Sequence, residues 1–216
     1  MANAQTFQAT HLHAYSRTML EAAKMPSPMA DVVADVLVGA NLTGHDSHGF
    51  LRIPMYLGHI EEGQITPEAE LSVVQDNGNT VVMDGNSGPG IHTCTEAVTF
   101  AINRAKDVGT CAISFSRINH IGRLGHYVEM AAHEGCICFV TVGRGDPGKI
   151  ATLPYGSNSP TFGTNPLAFG VPTGDHTPFV LDFATSVVAE GKLRVARSKG
   201  EMLADGIIVD KDRKPS

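Results

Sequence analysis

The 216-residue sequence contains no tryptophan and no apolar run that approaches the length of a membrane-spanning helix. The first ten residues are polar and lack the apolar core of a secretory signal peptide, so we expect a cytoplasmic protein that does not enter a membrane. The net charge of −6 argues against a surface that binds nucleic acid or anionic lipid. An anionic cofactor stays compatible with this charge, because it needs only a local cluster of N–H groups and a few cations.

The four cysteines indicate neither a disulfide framework nor a zinc site. Cys136 and Cys138 flank one residue of an apolar run, where they would share a strand face and could not easily bridge. Paired Cys-x-x-Cys spacings are absent, so we expect buried free thiols. A metal site that begins at His45, Asp46 and His48 would lack a second tightly spaced cluster, so we expect no metal.

The first third of the chain predicts three helices. Apolar residues recur at helical spacing over residues 10–24 and 29–40, and a Pro-Ser-Pro sequence separates these two segments. A third helix is predicted over residues 47–62, with Pro54 expected to kink it or to end its first half. Residues 1–66 should therefore form an N-terminal helical unit.

From residue 67 onward, predicted strands and helices mix. The predicted strands are residues 71–75, 80–83, 111–116, 136–142, 167–171, 179–182 and 207–209, and the predicted helices are residues 91–108, 124–134 and 186–198. The sequence Asp76-Asn77-Gly78 predicts a hairpin turn between the first two strands. This mixture predicts an α/β fold of mixed α+β character over residues 67–216. Residues 206–216 are expected to form either a short edge strand followed by an irregular tail or the point at which the chain stops inside a longer protein.

A histidine and an arginine four residues apart mark the start of the predicted third helix. Asp46 and Ser47 are possible helix caps, and on a helix His48 and Arg52 would lie on one face. An enzyme that handles a 2-hydroxy or 2-oxo acid needs both groups: the guanidinium binds the carboxylate, and the imidazole moves the hydroxyl proton. The alternative is an ordinary charged start of a surface helix.

Two glycine-rich segments qualify as candidate phosphate loops. Residues 143–148 (Gly-Arg-Gly-Asp-Pro-Gly) match the dinucleotide-binding pattern after a strand, but prolines follow where a helix is required, and no acidic residue lies about 20 positions on. A Rossmann loop is therefore not expected. Residues 85–90 precede a predicted helix and could present N–H groups to a phosphate, but a plain loop that caps the helix is the alternative.

Two polar positions outside the helical unit are candidates for chemistry. His120 lies in the sequence Asn119-His120-Ile121-Gly122 between a strand and a helix, where it can serve catalysis or cap a turn. Asp182 ends an apolar strand, so its carboxylate is either the N-cap of the following helix or the partner of a catalytic histidine. Both alternatives stay open at each position.

Taken together, these segments resemble the type-2 malate/L-lactate dehydrogenase family, the group similar to L-sulfolactate dehydrogenase, ureidoglycolate dehydrogenase and diketogulonate reductase. The resemblance rests on four motifs in the family's order: Asp46-Ser47-His48-Gly49 with Arg52, Asn119-His120-Ile121-Gly122, residues 163–167 (Gly-Thr-Asn-Pro-Leu), and residues 182–186 with Gly191-Lys192. It implies an oxidoreductase that uses NAD or NADP, binds it in a non-Rossmann α/β domain over residues 67–216 and forms a homodimer, with the site between this domain and the helical unit.

The resemblance also assigns roles to individual residues. His48 resembles the family's proton donor and acceptor, Arg52 the residue that binds the substrate carboxylate, and His120 the base of the ureidoglycolate branch. Asp182 is expected to orient a catalytic group. Ser47, Thr164 and Asn165 are the further substrate-binding candidates. The segment implied to contact the cofactor consists of Pro178, Phe179, Val180, Leu181, Asp182, Phe183 and Ala184.

The chain departs from the family pattern in two places. Gly143-Arg144 replaces an Asn-Ser-type pair that contacts the cofactor, so Arg144 is expected to meet a phosphate instead. Roughly the last third of the family's length is absent, which makes a truncated chain the expectation. The predicted function is the interconversion of a small 2-hydroxy acid and its 2-oxo acid. The alternatives are a non-catalytic truncated member and a cyclic-imine reductase of the same family.

Overall fold

The computed structural model describes residues 6–143, 151–157, 159–174, 177–210, 212 and 214–216. The helices are α1 (Ala9–Ala22), α2 (Ser27–Leu42), α3 (Ile53–Glu61), α4 (Gly90–Val108), α5 (Leu124–His133) and α6 (Glu190–Lys199). The strands are β1 (Ser72–Asp76), β2 (Thr80–Asp84), β3 (Ala112–Ser116), β4 (Cys138–Thr141), β5 (Leu167–Val171) and β6 (Phe179–Phe183). The predicted mixture of helices and strands is confirmed. Among the described residues, no helix is long and apolar enough to cross a bilayer.

Helices α1, α2 and α3 bury a common apolar core, as their amphipathic patterns predict. Leu20, Leu37 and Ile53 are fully buried in it, and Ile91 at the start of α4 joins the same cluster. This contact anchors the helical unit to the rest of the chain. The division into residues 1–66 and 67–216 stays a prediction.

The single helix predicted over residues 47–62 is wrong. Two 3₁₀ turns, Asp46–His48 and Phe50–Arg52, precede α3 and are separated by Gly49, which has an extended backbone with φ −94° and ψ −152°. The Asn41 side chain causes the break: its amide oxygen accepts a hydrogen bond from the Phe50 N–H at 2.8 Å, and its amide nitrogen donates to Asp46 at 2.7 Å. A Cβ at Gly49 would overlap this side chain, so the close approach requires glycine.

The first sheet has the strand order β1-β2-β3. The predicted hairpin turn between β1 and β2 is confirmed, with Gly78 at φ +84° and its N–H donating to the Asp76 carboxylate at 2.9 Å. Strand β3 pairs with β2 in parallel, and α4 forms the crossover between them. Val81 and Met83 of β2 are buried against Ala97 of α4.

The second sheet, β4-β5-β6, is antiparallel and packs one face on α5. Val140, Ala168 and Val180 belong to the apolar cluster beneath it, together with Tyr127 and Val128 of α5. The opposite face is open and apolar, and its exposed side chains include Ile137, Phe139, Phe179, Leu181 and Phe183. An antiparallel sheet with alternating burial is incompatible with a doubly wound parallel architecture.

Three further expectations can be compared with the structure. The strand predicted over residues 207–209 is wrong, because this segment contributes only an isolated bridge between Val209 and Pro215. The cysteines are free as expected, but only Cys94 is buried, and the other three are half-buried. In the glycine pattern at residues 143–148, Gly143 is described, whereas Arg144 and the remainder lie outside the described residues. The strand before the pattern, β4, pairs antiparallel with the next strand, unlike a Rossmann unit.

Gly170 of β5 should be intolerant of a side chain. A Cβ there would lie 2.5 Å from the Val128 carbonyl oxygen of α5, so we expect Gly170→Ala to lower the free energy of unfolding by about 1–3 kcal/mol. A Cβ at Gly39 of α2 would meet no other atom, so Gly39→Ala should raise the free energy of unfolding by up to about 1 kcal/mol. Urea unfolding followed by circular dichroism measures both. Equal stability of the Gly170 variant and the parent would contradict the close packing of β5 on α5.

Candidate active site

Ser47 connects the two principal side chains of the helical unit. Its carbonyl oxygen accepts a hydrogen bond from Nε of Arg52 at 2.6 Å, and its hydroxyl lies 2.9 Å from Nδ1 of His48. The histidine and the arginine therefore converge through a shared neighbour, across the Gly49 break, and not through stacking on one helix face. Ser47, a predicted substrate-binding residue, is buried beneath both of them.

The Arg52 guanidinium is buried without an ion pair among the described residues. Its residue is only 5% exposed, and no ion pair within the described part of the chain includes it. Nη1 lies 3.5 Å from the Met55 sulfur, a weak acceptor. Burial lowers the pKa of Arg52, although an arginine keeps its charge at neutral pH. The charge of Glu190 acts on the guanidinium from beyond ion-pair distance, so this buried cation is only partly compensated and the site favours an anionic ligand.

His48 lies in the electrostatic field of this arginine. Burial lowers the pKa of His48 to about 4, and the positive charges of Arg52, Arg123 and Lys192 add to the effect. The ring is therefore neutral at neutral pH, and the site around it is electropositive.

His120 lies beside His48. The two rings are nearly parallel, with centroids 5.7 Å apart and an interplanar angle of 17°. Nδ1 of His120 lies 2.8 Å from the hydroxyl of Tyr56, which is on α3 one helical turn after Arg52. Two histidines predicted from separate motifs thus meet at one place.

The glycine-rich loop at residues 85–90 carries the His120 segment. The Asn119 amide nitrogen donates to the carbonyl oxygens of Ser87 at 2.9 Å and Gly88 at 3.1 Å. A Cβ at Gly90 would overlap the backbone carbonyls of Asn119 and His120. The glycines therefore allow the close backbone packing that positions His120. This role differs from both roles predicted for the loop, which were phosphate binding and capping of the helix.

The start of α6 completes the wall around Arg52. A Cβ at Gly191 would lie 2.8 Å from Nη2 of Arg52 and 2.9 Å from Cβ of Ser47, so this close approach requires glycine. Lys192 follows at the exposed edge. Gly191 and Lys192 were part of the family resemblance, but no role was predicted for either.

Sequence reasoning missed two further residues. Arg123 is buried at the start of α5 and pairs with Glu129 at 2.5 Å. Tyr56 carried a usable signal, because it follows Arg52 by four positions in a predicted helix and so would lie on the same face. Nothing in the spacing of Arg123 indicated that it would approach His48.

Asp182 has neither of its predicted partners. Its Oδ2 accepts a hydrogen bond from the Gly125 N–H at 2.7 Å, at the start of α5. It is not the N-cap of the following helix, since Ala189 holds that position in α6. No hydrogen bond among the described residues joins it to a histidine. A carboxylate at the N-terminus of α5 stabilises the positive end of that helix dipole.

The remaining predicted residues form a second region. Thr164 and Asn165 accept hydrogen bonds from the Thr185 hydroxyl through their backbone carbonyls, at 3.3 Å and 2.8 Å. Asn165 has a left-handed backbone with φ +43° and lines a surface hollow, and its buried Oδ1 has no hydrogen-bond partner within the described part of the chain. The predicted cofactor segment, Pro178 to Ala184, contains β6. Residues 184–189 connect this region to α6, whose Gly191 contacts Arg52.

The potential metal ligands of the helical unit lie elsewhere. Within the described residues, the one group of three or more side chains close enough to share an ion is His13, Asp31 and Asp35, on α1 and α2. It does not include His45, Asp46 or His48.

The sequence matches the family model for malate/L-lactate dehydrogenase over residues 7–216. The chain belongs to this family. Hydroxycarboxylate dehydrogenase B of Escherichia coli O157:H7 is 33% identical over 218 residues, which cover 100% of this chain and 59% of the relative. The chain therefore spans about three fifths of the length of this curated relative.

Two solved structures extend the comparison. Malate dehydrogenase from Entamoeba histolytica superposes with a TM-score of 0.92 and is 29% identical, covering 98% of this chain and 58% of that structure. Delta1-piperideine-2-carboxylate reductase from Pseudomonas syringae has a TM-score of 0.88 and 30% identity, covering 99% of this chain and 63% of that structure. The fold of the described residues is thus that of the family.

The low pKa of His48 should make the protein less stable in acid. Between pH 6.5 and about pH 4, His48 is protonated in the unfolded chain but stays neutral in the folded protein. The free energy of unfolding therefore falls as the pH drops through this interval. The shift corresponds to about 3 kcal/mol. We expect His48→Gln to lose most of this pH dependence, measured by urea unfolding at several pH values. His133→Gln, at an exposed histidine of α5, is the matched control and should retain it. Identical pH dependence in both variants would contradict the burial of a neutral His48.

Proposed function

We propose that this chain carries the substrate- and proton-handling groups of an NAD- or NADP-dependent oxidoreductase that interconverts small 2-hydroxy acids and 2-oxo acids. One observation carries the proposal: the buried guanidinium of Arg52 forms no ion pair among the described residues and lies in one site with two stacked histidines. Membership of the malate/L-lactate dehydrogenase family supports it.

Arg52 binds the substrate carboxylate in this proposal. A planar guanidinium forms two parallel hydrogen bonds to a carboxylate, and it does so more strongly in a buried site. Its Nε is already bonded to the Ser47 carbonyl, which fixes the guanidinium plane, and Nη1 has only the weak Met55 sulfur acceptor, which a carboxylate would replace. Lys192 adds positive charge at the exposed edge, where an anion enters.

His120 moves the proton, and His48 acts as a neutral hydrogen-bonding neighbour. Reduction of a carbonyl needs a donor and oxidation of a hydroxyl needs an acceptor, so the group must exchange its proton near neutral pH. His48 is poorly suited, because burial and the charge of Arg52 lower its pKa to about 4. The partner of His120 at Nδ1 is an uncharged tyrosine hydroxyl.

The cofactor supplies or accepts a hydride at the nicotinamide ring when it is bound. Two features of the second region fit such a ligand. The buried Oδ1 of Asn165 has no donor among the residues that the structure describes, and β6 exposes flat apolar side chains at Phe179 and Phe183. We propose that the Pro178 to Ala184 segment contacts the cofactor, with Thr164 and Asn165 shaping the adjoining site. In this assignment Asp182 orders the start of α5 beneath that segment.

Two alternatives rest on specific observations. The likeness to the Pseudomonas syringae reductase favours a cyclic-imine substrate, whose carboxylate would use the same grip of Arg52. The chain spans 59% of the length of one curated relative, and a chain of this length that folds without turnover is the second alternative. Nicotinamide absorbance separates them, with NADH and NADPH tested against pyruvate, oxaloacetate, sulfopyruvate and cyclic imino acids. The homodimer implied by the family resemblance and the cytoplasmic location expected from the sequence remain predictions.

Arg52→Lys should chiefly weaken substrate binding. An ammonium cannot reproduce the two-point contact, so we expect KM for the 2-oxo acid to rise by about 10- to 100-fold, equivalent to about 1.4–2.8 kcal/mol. Initial rates measure this effect in an active chain, and calorimetric titration with pyruvate measures it in an inactive one. Arg17→Lys, on the exposed face of α1, is the matched control. Unchanged KM and affinity in the Arg52 variant would rule out the carboxylate grip.

Replacing each histidine in turn tests the assignment of the proton carrier. His120→Gln should reduce kcat by about 10²- to 10⁴-fold, because general acid–base catalysis is lost. His48→Gln should retain the larger share of kcat, since its ring exchanges no proton. Steady-state rates at saturating cofactor measure kcat for both variants. The reverse order of effects would assign the proton to His48.

A further inference from the structure

We propose that Asn41 is a positioning residue for Arg52, because it binds the backbone N–H that would otherwise occupy the Ser47 carbonyl. The inference rests on the proposed role of Arg52 and names the residue on which the orientation of its guanidinium depends. Asn41 itself touches no substrate atom in this proposal.

The Ser47 carbonyl oxygen has exchanged its donor. The turns on either side of Gly49 are 3₁₀ turns, and a 3₁₀ helix that continued through it would direct the Phe50 N–H to the Ser47 carbonyl. In the structure the Phe50 N–H donates instead to Oδ1 of Asn41 at 2.8 Å. Nε of Arg52 donates to the Ser47 carbonyl at 2.6 Å. The Asn41 amide thus replaces the helix acceptor, and the guanidinium replaces the helix donor.

The two neighbours of the Asn41 amide determine its orientation. Its oxygen must face the Phe50 N–H, because a backbone N–H only donates. Its nitrogen donates to the Asp46 carboxylate at 2.7 Å, and an ionised carboxylate only accepts. Asp46 begins the first 3₁₀ turn and Phe50 begins the second, so one side chain near the end of α2 holds both turns.

The Nε contact of Arg52 matters because binding of a carboxylate is directional. A guanidinium binds a carboxylate through two parallel hydrogen bonds that lie in its plane. Arg52 is only 5% exposed, and its Nε–H bond to Ser47 sets the direction of that plane. A Cβ at Gly49 would overlap the Asn41 amide, so glycine gives the amide the space to hold the two turns. The orientation of the guanidinium therefore depends on a side chain of α2.

Through-hydrogen-bond NMR couplings in the folded chain test the proposal without turnover or ligand. We expect the Phe50 amide nitrogen to couple to Cγ of Asn41, and Nε of Arg52 to couple to the carbonyl carbon of Ser47. Coupling of the Phe50 nitrogen to the Ser47 carbonyl carbon would overturn the proposal. Absence of the Asn41 coupling, in a spectrum that shows the backbone couplings of α2, would overturn it too. The parent protein alone gives this result, so it does not depend on the folding of a variant.

Exchange of the two polar side chains tests whether Asn41 acts on Arg52. Asn41→Asp places two carboxylates against each other, so protection of the Arg52 Nε–H from solvent exchange should fall by about 10-fold or more. The signal is assigned by its loss in Arg52→Lys. Asn41→Asp combined with Asp46→Asn restores donor and acceptor in reverse order and should recover most of the protection. Asn103→Asp, on the exposed face of α4, is the matched control for the added charge.

The same exchange data separate a local effect from general destabilisation. Equal protection of the Arg52 Nε–H in Asn41→Asp and the parent would contradict the positioning role. A double variant that stays as unprotected as the single one would contradict it as well. A loss of protection shared equally by the backbone amides of α4 and α5 would show a merely structural role and would overturn the proposal.

Kinetics measures the consequence for the substrate in an active chain. Asn41→Asp should raise KM for the 2-oxo acid by about 10-fold and change kcat less, because the segment that carries His120 packs on residues 85–90 instead. The double variant should return KM toward the parent value. A fall in kcat with unchanged KM would contradict the inference. If no parent turnover is found, or if Arg52→Lys leaves KM unchanged, the proposed function fails, and the couplings still decide whether Asn41 holds this turn.

Discussion

The buried charge of Arg52 is the constraint on which the site depends. A guanidinium removed from water without an ion pair is unfavourable, and the Ser47 carbonyl and the charge of Glu190 reduce that cost only partly. Burial lowers the pKa of the neighbouring His48, and the charge of Arg52 lowers it further. Gly191 allows α6 to close over the guanidinium, where any side chain would collide with it. The buried Arg52 guanidinium thus lowers the stability of the fold, and an anionic ligand bound to it would raise that stability.

The two histidines illustrate how environment separates residues of the same type. His48 has a serine hydroxyl at Nδ1 and three cations in its surroundings, whereas His120 has a buried tyrosine hydroxyl at Nδ1. Neighbouring groups placed in different environments are suited to different tasks. The stacked pair therefore favours a division between a neutral hydrogen-bonding imidazole and one that exchanges a proton.

The sequence predicted the parts of the fold that follow from local pattern. Periodic apolar residues located α1 and α2, and the turn chemistry of Asp76-Asn77-Gly78 located the first hairpin. The break at Gly49 could not be predicted in this way, because it depends on the Asn41 side chain of another helix. Such long-range contacts override helical propensity, and they also directed the Asp182 carboxylate to α5.

The site shows the same distinction between residues and their arrangement. His48, Arg52 and His120 were identified as residue types in suitable motifs, but their convergence depends on backbone packing around Gly90 and Asn119. A glycine-rich loop before a helix has two physical uses, anion binding and close backbone approach, and the sequence alone does not distinguish them. Here the second use operates: the missing side chains admit the Asn119–His120 backbone, and the loop thereby sets the distance between the two imidazoles.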